Sequence, residues 1–197
     1  MPAVQRREQF VDATIAMVAR RGIEGATTRA IAEEADAPLA ALHYCFPSKE
    51  ALFFAVMERM SEQVEGILAE VPEGLGLGRA AGLLLRRVMA WYRDNEELAQ
   101  AQLELFFWMA HAAGDTGRRS FELFSPVLAT RLRRSMLPDD DESLVEPVVR
   151  LVSAQADGLL VRWVGFRDWE QACADTELAA EAIEQLCAAR RRAVVSD

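Results

Sequence analysis

Residues 27–52, TTRAIAEEADAPLAALHYCFPSKEAL, crowd several helix starts and stops into one short stretch. Thr27 or Thr28 can cap a first helix, because a hydroxyl ahead of an apolar-periodic segment accepts a hydrogen bond from a free backbone N–H. Ala30, Ile31 and Ala35 then form one apolar stripe, with Glu33 and Glu34 off it. Ala35, Asp36 and Ala37 break the pattern, and Pro38 suits the first turn of a second helix, where its missing N–H costs nothing. That second helix covers 38–45, with Ala41, Leu42 and Cys45 at inward spacing. Phe46 and Pro47 end it, and Ser48 caps a third helix opening at Lys49. Helices of about two turns are not stable alone. The chain must therefore supply a neighbour that pins them.

Residues 4–21 can be that neighbour. Phe10, Ala13, Thr14, Met17 and Val18 fall at the spacing of one helix face, and Gly22 after Arg20 and Arg21 suits a left-handed end. Arg6 and Arg7 form either an arm or a frayed, solvated start. The helix from Lys49, over 49–71, carries Leu52, Phe53, Val56, Met60, Val64, Ile67 and Leu68. This face is too long for a small domain, so its second half should reach the next one. A short pinned helix with small and polar residues outside is the geometry a helix-turn-helix offers to a major groove.

Gly22, Thr28, Ile31, Ala32, Ala35, Leu42 and Phe46, with the run Ser48, Lys49, Glu50, Ala51 and Leu52, resemble the N-terminal signature of the tetracycline-repressor (TetR) family of transcriptional regulators. The resemblance covers residues 8–56. Asp36 stands where the family usually has Gly, and Asp tolerates the left-handed region better than most residues. His43 stands at the usual recognition-helix Tyr, with Tyr44 beside it, and Cys45 replaces a frequent His. The resemblance implies an all-α chain of about nine helices. A three-helix helix-turn-helix DNA-binding domain would occupy residues 1–48, and a larger ligand-binding and dimerisation domain residues 49–197. It implies a ligand-responsive regulator, a repressor by family habit, that binds a palindromic duplex operator as a homodimer. A small, mainly apolar effector would release it. The contacts carried over fall on Thr27, Thr28, Arg29, Pro38, Leu39, Ala40, His43, Tyr44 and Lys49. Of these, Thr28 and Lys49 would touch phosphate, while Leu39, Ala40, His43 and Tyr44 approach base edges. Lys49 is the only lysine among 22 basic residues. Two plainer readings stay open: Tyr44 packed on the following helix, and Lys49 as solvated surface.

Charge argues the other way. The formal net charge is −9, whereas a nucleic-acid-binding domain is usually basic. Residues 1–50 nearly balance, with six basic against seven acidic side chains. The motif outweighs this, because its basic residues fall at helix ends and turns. Weak non-specific binding with strong dependence on the operator sequence is expected.

The remainder reads as helices over 79–93, 95–112, 118–136, 144–166 and 176–193, with a Gly-rich linker at 72–78 that lacks the pattern of a phosphate loop. The longest uncharged apolar run, residues 105–114, is too short to span a bilayer, which needs about 20 residues. The start of the chain lacks a signal core, and three separated cysteines suit a reducing compartment, so a cytoplasmic protein is expected. Two histidines in no ligand spacing and the acidic loop at Asp139, Asp140 and Asp141 give no metal motif, and no cofactor is expected. Arg131, Arg133 and Arg134 suit a helix C-terminus.

The 144–166 helix shows two apolar faces: Val148, Leu151, Val152 and Leu159 on one, Val149, Ala156, Leu160, Trp163 and Val164 on the other. One should pack in its own core and the other on a second copy, with Gly158 allowing close approach. The last helix repeats this with Leu178, Ala182, Ile183, Leu186 and Cys187. For an effector pocket the candidates are Trp91, Gln102, Phe106, Trp108, His111, Phe124, Gln155, Asp157 and Trp163, apolar walls with a few polar anchors. A buried His111 is either a core residue or a ligand contact. Asp157, deep in an apolar helix, needs a partner, either Arg162 or a cationic ligand. The competing class is a helical-bundle carrier or enzyme without DNA binding, but no nucleophile–base pair or paired-carboxylate motif supports catalysis.

Overall fold

The structure, a computed structural model, describes residues 3–111 and 115–194. Among them it has nine α-helices and no strand: α1 (Ala3–Gly25), α2 (Thr28–Glu34), α3 (Leu39–Cys45), α4 (Lys49–Ala69), α5 (Leu77–Asp94), α6 (Glu96–His111), α7 (Thr116–Ser135), α8 (Val145–Phe166) and α9 (Trp169–Val194). A short 3-10 turn, Glu142–Leu144, precedes α8. The chain forms two compact units, Met1–Glu62 with Asn95–Leu123, and Gln63–Asp94 with Phe124–Asp197.

The first unit is built on the stripe of α1. Phe10, Val11, Met17 and Val18 are buried, and Ile31, Leu42, Phe46, Leu52 and Phe53 complete the core under the two short helices. α6 lies along α1 in the same unit. Gly22 takes φ +67° at the kink where α1 proper ends, the left-handed stop that its sequence implied. Burying side chains of Phe, Leu and Ile size contributes about 1.5–3 kcal/mol each. That is the support two-turn helices lack by themselves.

In the second unit α5 packs on α9 and α8. Gly78 permits a close approach of α9, since a Cβ there would lie 2.8 Å from the Cβ of Cys187. Residues 72–78 are tied down rather than free: Gly76 N–H donates to Ser135 O at 2.7 Å, and α5 has already begun at Leu77. Asp140 fastens three segments. Its Oδ2 accepts the N–H groups of Leu77 and Leu137 at 2.8 Å each, and its Oδ1 accepts from Arg191. Burial alone would raise this carboxyl, but the Leu137 N–H, the Arg191 guanidinium and the Leu77 N–H hold it below the usual range. The acidic loop thus acts as a clasp.

Several boundaries differ from the sequence reading. Pro38 is the N-cap of α3 rather than its first residue, with ψ 138°. α9 starts at Trp169, ahead of the expected 176, because Asp168 caps it by accepting the Gln171 N–H at 2.9 Å. α7 opens at Thr116, two residues ahead of the expected 118. That helix runs through Pro126, whose carbonyl accepts the Thr130 hydroxyl at 2.8 Å. The two apolar faces read on α8 are one broad buried face, comprising Val148, Val149, Val152, Ala156, Leu159, Leu160 and Trp163. The outward strip is instead made of small residues, Ala154, Gly158, Val161 and Gly165. Alternating 3- and 4-residue steps around a helix merge neighbouring faces once packing partners lie on both sides.

Candidate nucleic-acid interface

The short helices owe their geometry to side chains at their ends. Thr27 caps α2 by accepting the Ala30 N–H at 3.2 Å, which selects it over Thr28. Past α2, Ala37 N–H donates to Ala32 O at 3.0 Å and Asp36 N–H to Glu33 O at 3.1 Å. This is the closure of a helix by a left-handed residue, and Asp36 supplies it at φ +44°. The turn therefore survives without glycine. Ser48 caps α4, accepting the Ala51 N–H at 3.1 Å.

The first helix grips both short helices from their C-terminal ends. Gln9 donates to Ala35 O at 2.7 Å, and Arg7 donates to Cys45 O at 3.2 Å. The Arg7 guanidinium also stacks 4.3 Å from the Phe46 ring centroid. A cation at a helix C-terminus is stabilising by about 0.3–1 kcal/mol. Arg7 is neither arm nor frayed end but a brace for α3, a role visible only once α1 and α3 are side by side.

With Leu42 and Phe46 inward, the opposite side of α3 faces solvent. Ala40, His43 and Tyr44 are exposed and Leu39 half-buried. Tyr44 is 86% exposed, which overturns its packing on α4. Thr27, Arg29 and Pro38 are exposed and Thr28 half-buried. Lys49 is half-buried, and its Nζ donates to Ile23 O at 3.1 Å while lying 4.9 Å from the Phe53 ring centroid. Loss of water lowers its pKa. An ammonium has three N–H donors, so this bond leaves two.

The effector candidates divide between the units. Gln102, Phe106, Trp108 and His111 lie on α6 in the first, while Trp91, Phe124, Gln155, Asp157 and Trp163 lie in the second. His111 is exposed, contrary to the buried reading, and its Nδ1 is 2.7 Å from Phe107 O at the end of α6. Trp108 meets Phe53 edge-on at 5.1 Å. Trp163 packs against Trp169 at 5.3 Å and lines a cavity of about 120 Å³ with Phe166 and Gln171. A larger groove of about 430 Å³, with Leu68, Pro126, Val127 and Arg131 along it, is lined by none of the effector candidates. Asp157 is half-buried, and burial pushes its carboxyl up to about 6. Arg162 is not its partner: that guanidinium pairs with Asp175 at 3.4 Å and stacks on Phe166.

Residues 10–56 match the family model described as bacterial regulatory proteins, tetR family. The nicotine-responsive transcriptional repressor HdnoR of Paenarthrobacter nicotinovorans is 37% identical over 109 residues, 53% of this chain and 55% of that protein. The matched stretch thus spans about half the length of that relative. Among solved structures, a TetR-family transcriptional regulator from Rhodococcus sp. superposes with TM-score 0.77 at 21% identity, over 92% of this chain and 99% of that one. The multidrug binding protein EbrR complexed with ethidium gives TM-score 0.70 at 23% identity, over 92% and 98%. These structures share the fold.

Proposed function

From the premise that this chain belongs to the TetR family of transcriptional regulators, we propose that it binds a palindromic operator as a homodimer and leaves it when a lipophilic cation binds. It is a regulator and not an enzyme. The observation that carries the DNA reading is the division of α3, with Leu42 and Phe46 buried and Tyr44 86% exposed on the other side. In this reading Leu39, Ala40, His43 and Tyr44 meet base edges. Thr27, Thr28, Arg29 and the two remaining Lys49 donors meet backbone phosphates, with Pro38 in apolar contact beside them; phosphate contacts set register while base contacts set sequence. Residues 1–48 serve as the DNA-binding part and 49–197 as the effector and dimer part.

The dimer reading rests on the uncovered strips of α8 and α9. Gly158 and Gly165 leave room for a second helix, and Val161, Phe166, Leu178 and Leu186 are exposed apolar side chains beside them. Two copies of this surface would make a four-helix interface, and about 1,500 Å² of burial suffices for a stable pair. Two recognition helices would then enter major grooves about 34 Å apart. A cytoplasmic location fits this role, and among the described residues no helix is long and apolar enough to cross a membrane.

For the effector, Asp157 is the guide. Among the described residues no cationic side chain pairs with it. A half-buried carboxylate left so is costly, and a bound amine or aromatic cation would offset that cost. The relatives fit this chemistry, one being nicotine-responsive and another binding ethidium. Fluorescence anisotropy on duplexes selected from a random pool tests the operator reading, with palindromic winners at moderate salt as the expected result. Winners without two-fold symmetry, or no enrichment, would refute it. A thermal-shift screen of lipophilic cations against neutral analogues tests the effector.

A further inference from the structure

Ile23 is gripped at both ends of its backbone by side chains from other helices. Gly22, at φ +67° and ψ 174°, turns the chain out of helical geometry. The next N–H, of Ile23, then donates to Glu104 Oε2 of α6 at 3.4 Å. The Ile23 carbonyl accepts from Lys49 Nζ of α4 at 3.1 Å. The two grips are joined behind the peptide. Trp108 follows Glu104 by four residues on α6, and Phe53 follows Lys49 by four on α4, so each pair shares a helix face. Trp108 and Phe53 meet edge-on at 5.1 Å, and the Lys49 ammonium lies 4.9 Å from the Phe53 centroid. Glu104, Ile23, Lys49, Phe53 and Trp108 therefore close a ring through α1, α4 and α6, and all five residues lie within the first compact unit.

We propose that this ring holds α6 in register with the DNA-binding helices, with Glu104 and Lys49 as positioning residues acting through the Ile23 peptide. The inference rests on the regulator reading above and assigns that regulator a contact through which a shift of α6 reaches DNA. Four residues beyond Ile23 stands Thr27, the cap of α2, so displacing the peptide displaces the start of the helix-turn-helix. An α6 that slides or rotates must release the Ile23 N–H, the Phe53 edge, or both.

Glu104 is exposed, so substituting it leaves the core intact. Electrostatics alone would make Glu104→Ala bind DNA more tightly, since it removes a negative charge. The ring demands the opposite. With a duplex selected against the wild-type protein, Glu104→Ala should weaken binding about five- to tenfold, the size expected for one ordinary, solvent-exposed hydrogen bond. The dependence on salt should keep its slope, because no phosphate contact is lost. Glu104→Gln retains an acceptor oxygen and should recover most of the affinity. The ¹⁵N–¹H resonance of Ile23, read without DNA, should shift in Glu104→Ala and return towards its place in Glu104→Gln. Unchanged or tighter binding by Glu104→Ala, or an Ile23 amide indifferent to both variants, overturns the proposal. If the wild-type chain selects no duplex, the regulator reading falls, and the Ile23 amide alone then decides whether the ring exists.

Discussion

The short helix α3 and the terminal helix α9 face opposite problems. The first has seven residues and one buried leucine, and its position is borrowed from Arg7, Phe46 and the caps around it. The second has 26 residues and carries an inward stripe of Ala172, Thr176, Ala180, Ile183 and Cys187 that secures it without help from its outer face. That outer face keeps Leu178 69% exposed, and Leu186 is exposed further along. A helix that cannot stand alone offers polar and small groups outward, while a helix already secure offers apolar ones. The first arrangement suits a charged, hydrated duplex, and the second suits another copy of the same protein.

The sharpest way to break this contrast is to charge α9. Leu178→Arg together with Leu186→Arg should leave the thermal midpoint nearly unchanged and convert dimer to monomer in sedimentation. Operator affinity should then fall by about 100-fold or more, since the second half-site no longer binds at raised effective concentration. The support of α3 is read in stability instead. Phe46→Ala should cost about 3–5 kcal/mol of stability in denaturant melts, a cavity where a fully buried ring stood.

Asp157 gives the third test. Its folded value of about 6 lies above the ordinary 3.8, because burial penalises the charged form. The folded state therefore holds its proton more tightly, and stability falls as pH rises between those values, with the full penalty present above about 6. Asp157→Asn should accordingly be more stable than the parent at pH 7.5, by about 2 kcal/mol after allowing for solvent contact. That advantage should fade as pH drops through 6 towards 4. A cationic effector should bind the parent less tightly below pH 6 and Asp157→Asn weakly throughout, as calorimetry would show.

Smaller still is Tyr44→Ala, which should lower operator affinity about 10-fold while leaving the melting curve in place, because the ring touches little of its own protein. Arg7→Ala should cost at most about 1 kcal/mol in stability. Its loss of operator affinity should nevertheless exceed that of a distant arginine such as Arg190, since it frees the end of α3.

Much of the helix-turn-helix was legible because its signals are local. Thr27, Ser48, Gly22 and the stripe of α1 each act within one or two turns, and a cap or a left-handed stop needs only its neighbours in sequence. The roles that escaped are long-range. Arg7 reads as a terminal charge until Cys45 O lies beside it, and Lys49 reads as a surface or phosphate-facing cation, with no hint that Ile23 O takes one of its donors. His111 reads as buried because its helix is apolar, yet it ends that helix and turns to its own backbone.

Residue order alone determined that this chain is helical, where its short helices begin and end to within a residue, and which side of α3 is apolar, since backbone capping and helical periodicity are decided within a few residues. Only the tertiary structure decided which charges are spent inside the protein, how the apolar residues of α8 merge into one face, and that Asp157 is left without Arg162. Those outcomes depend on which groups compete for the same partner across distant parts of the chain, and that competition is settled by packing.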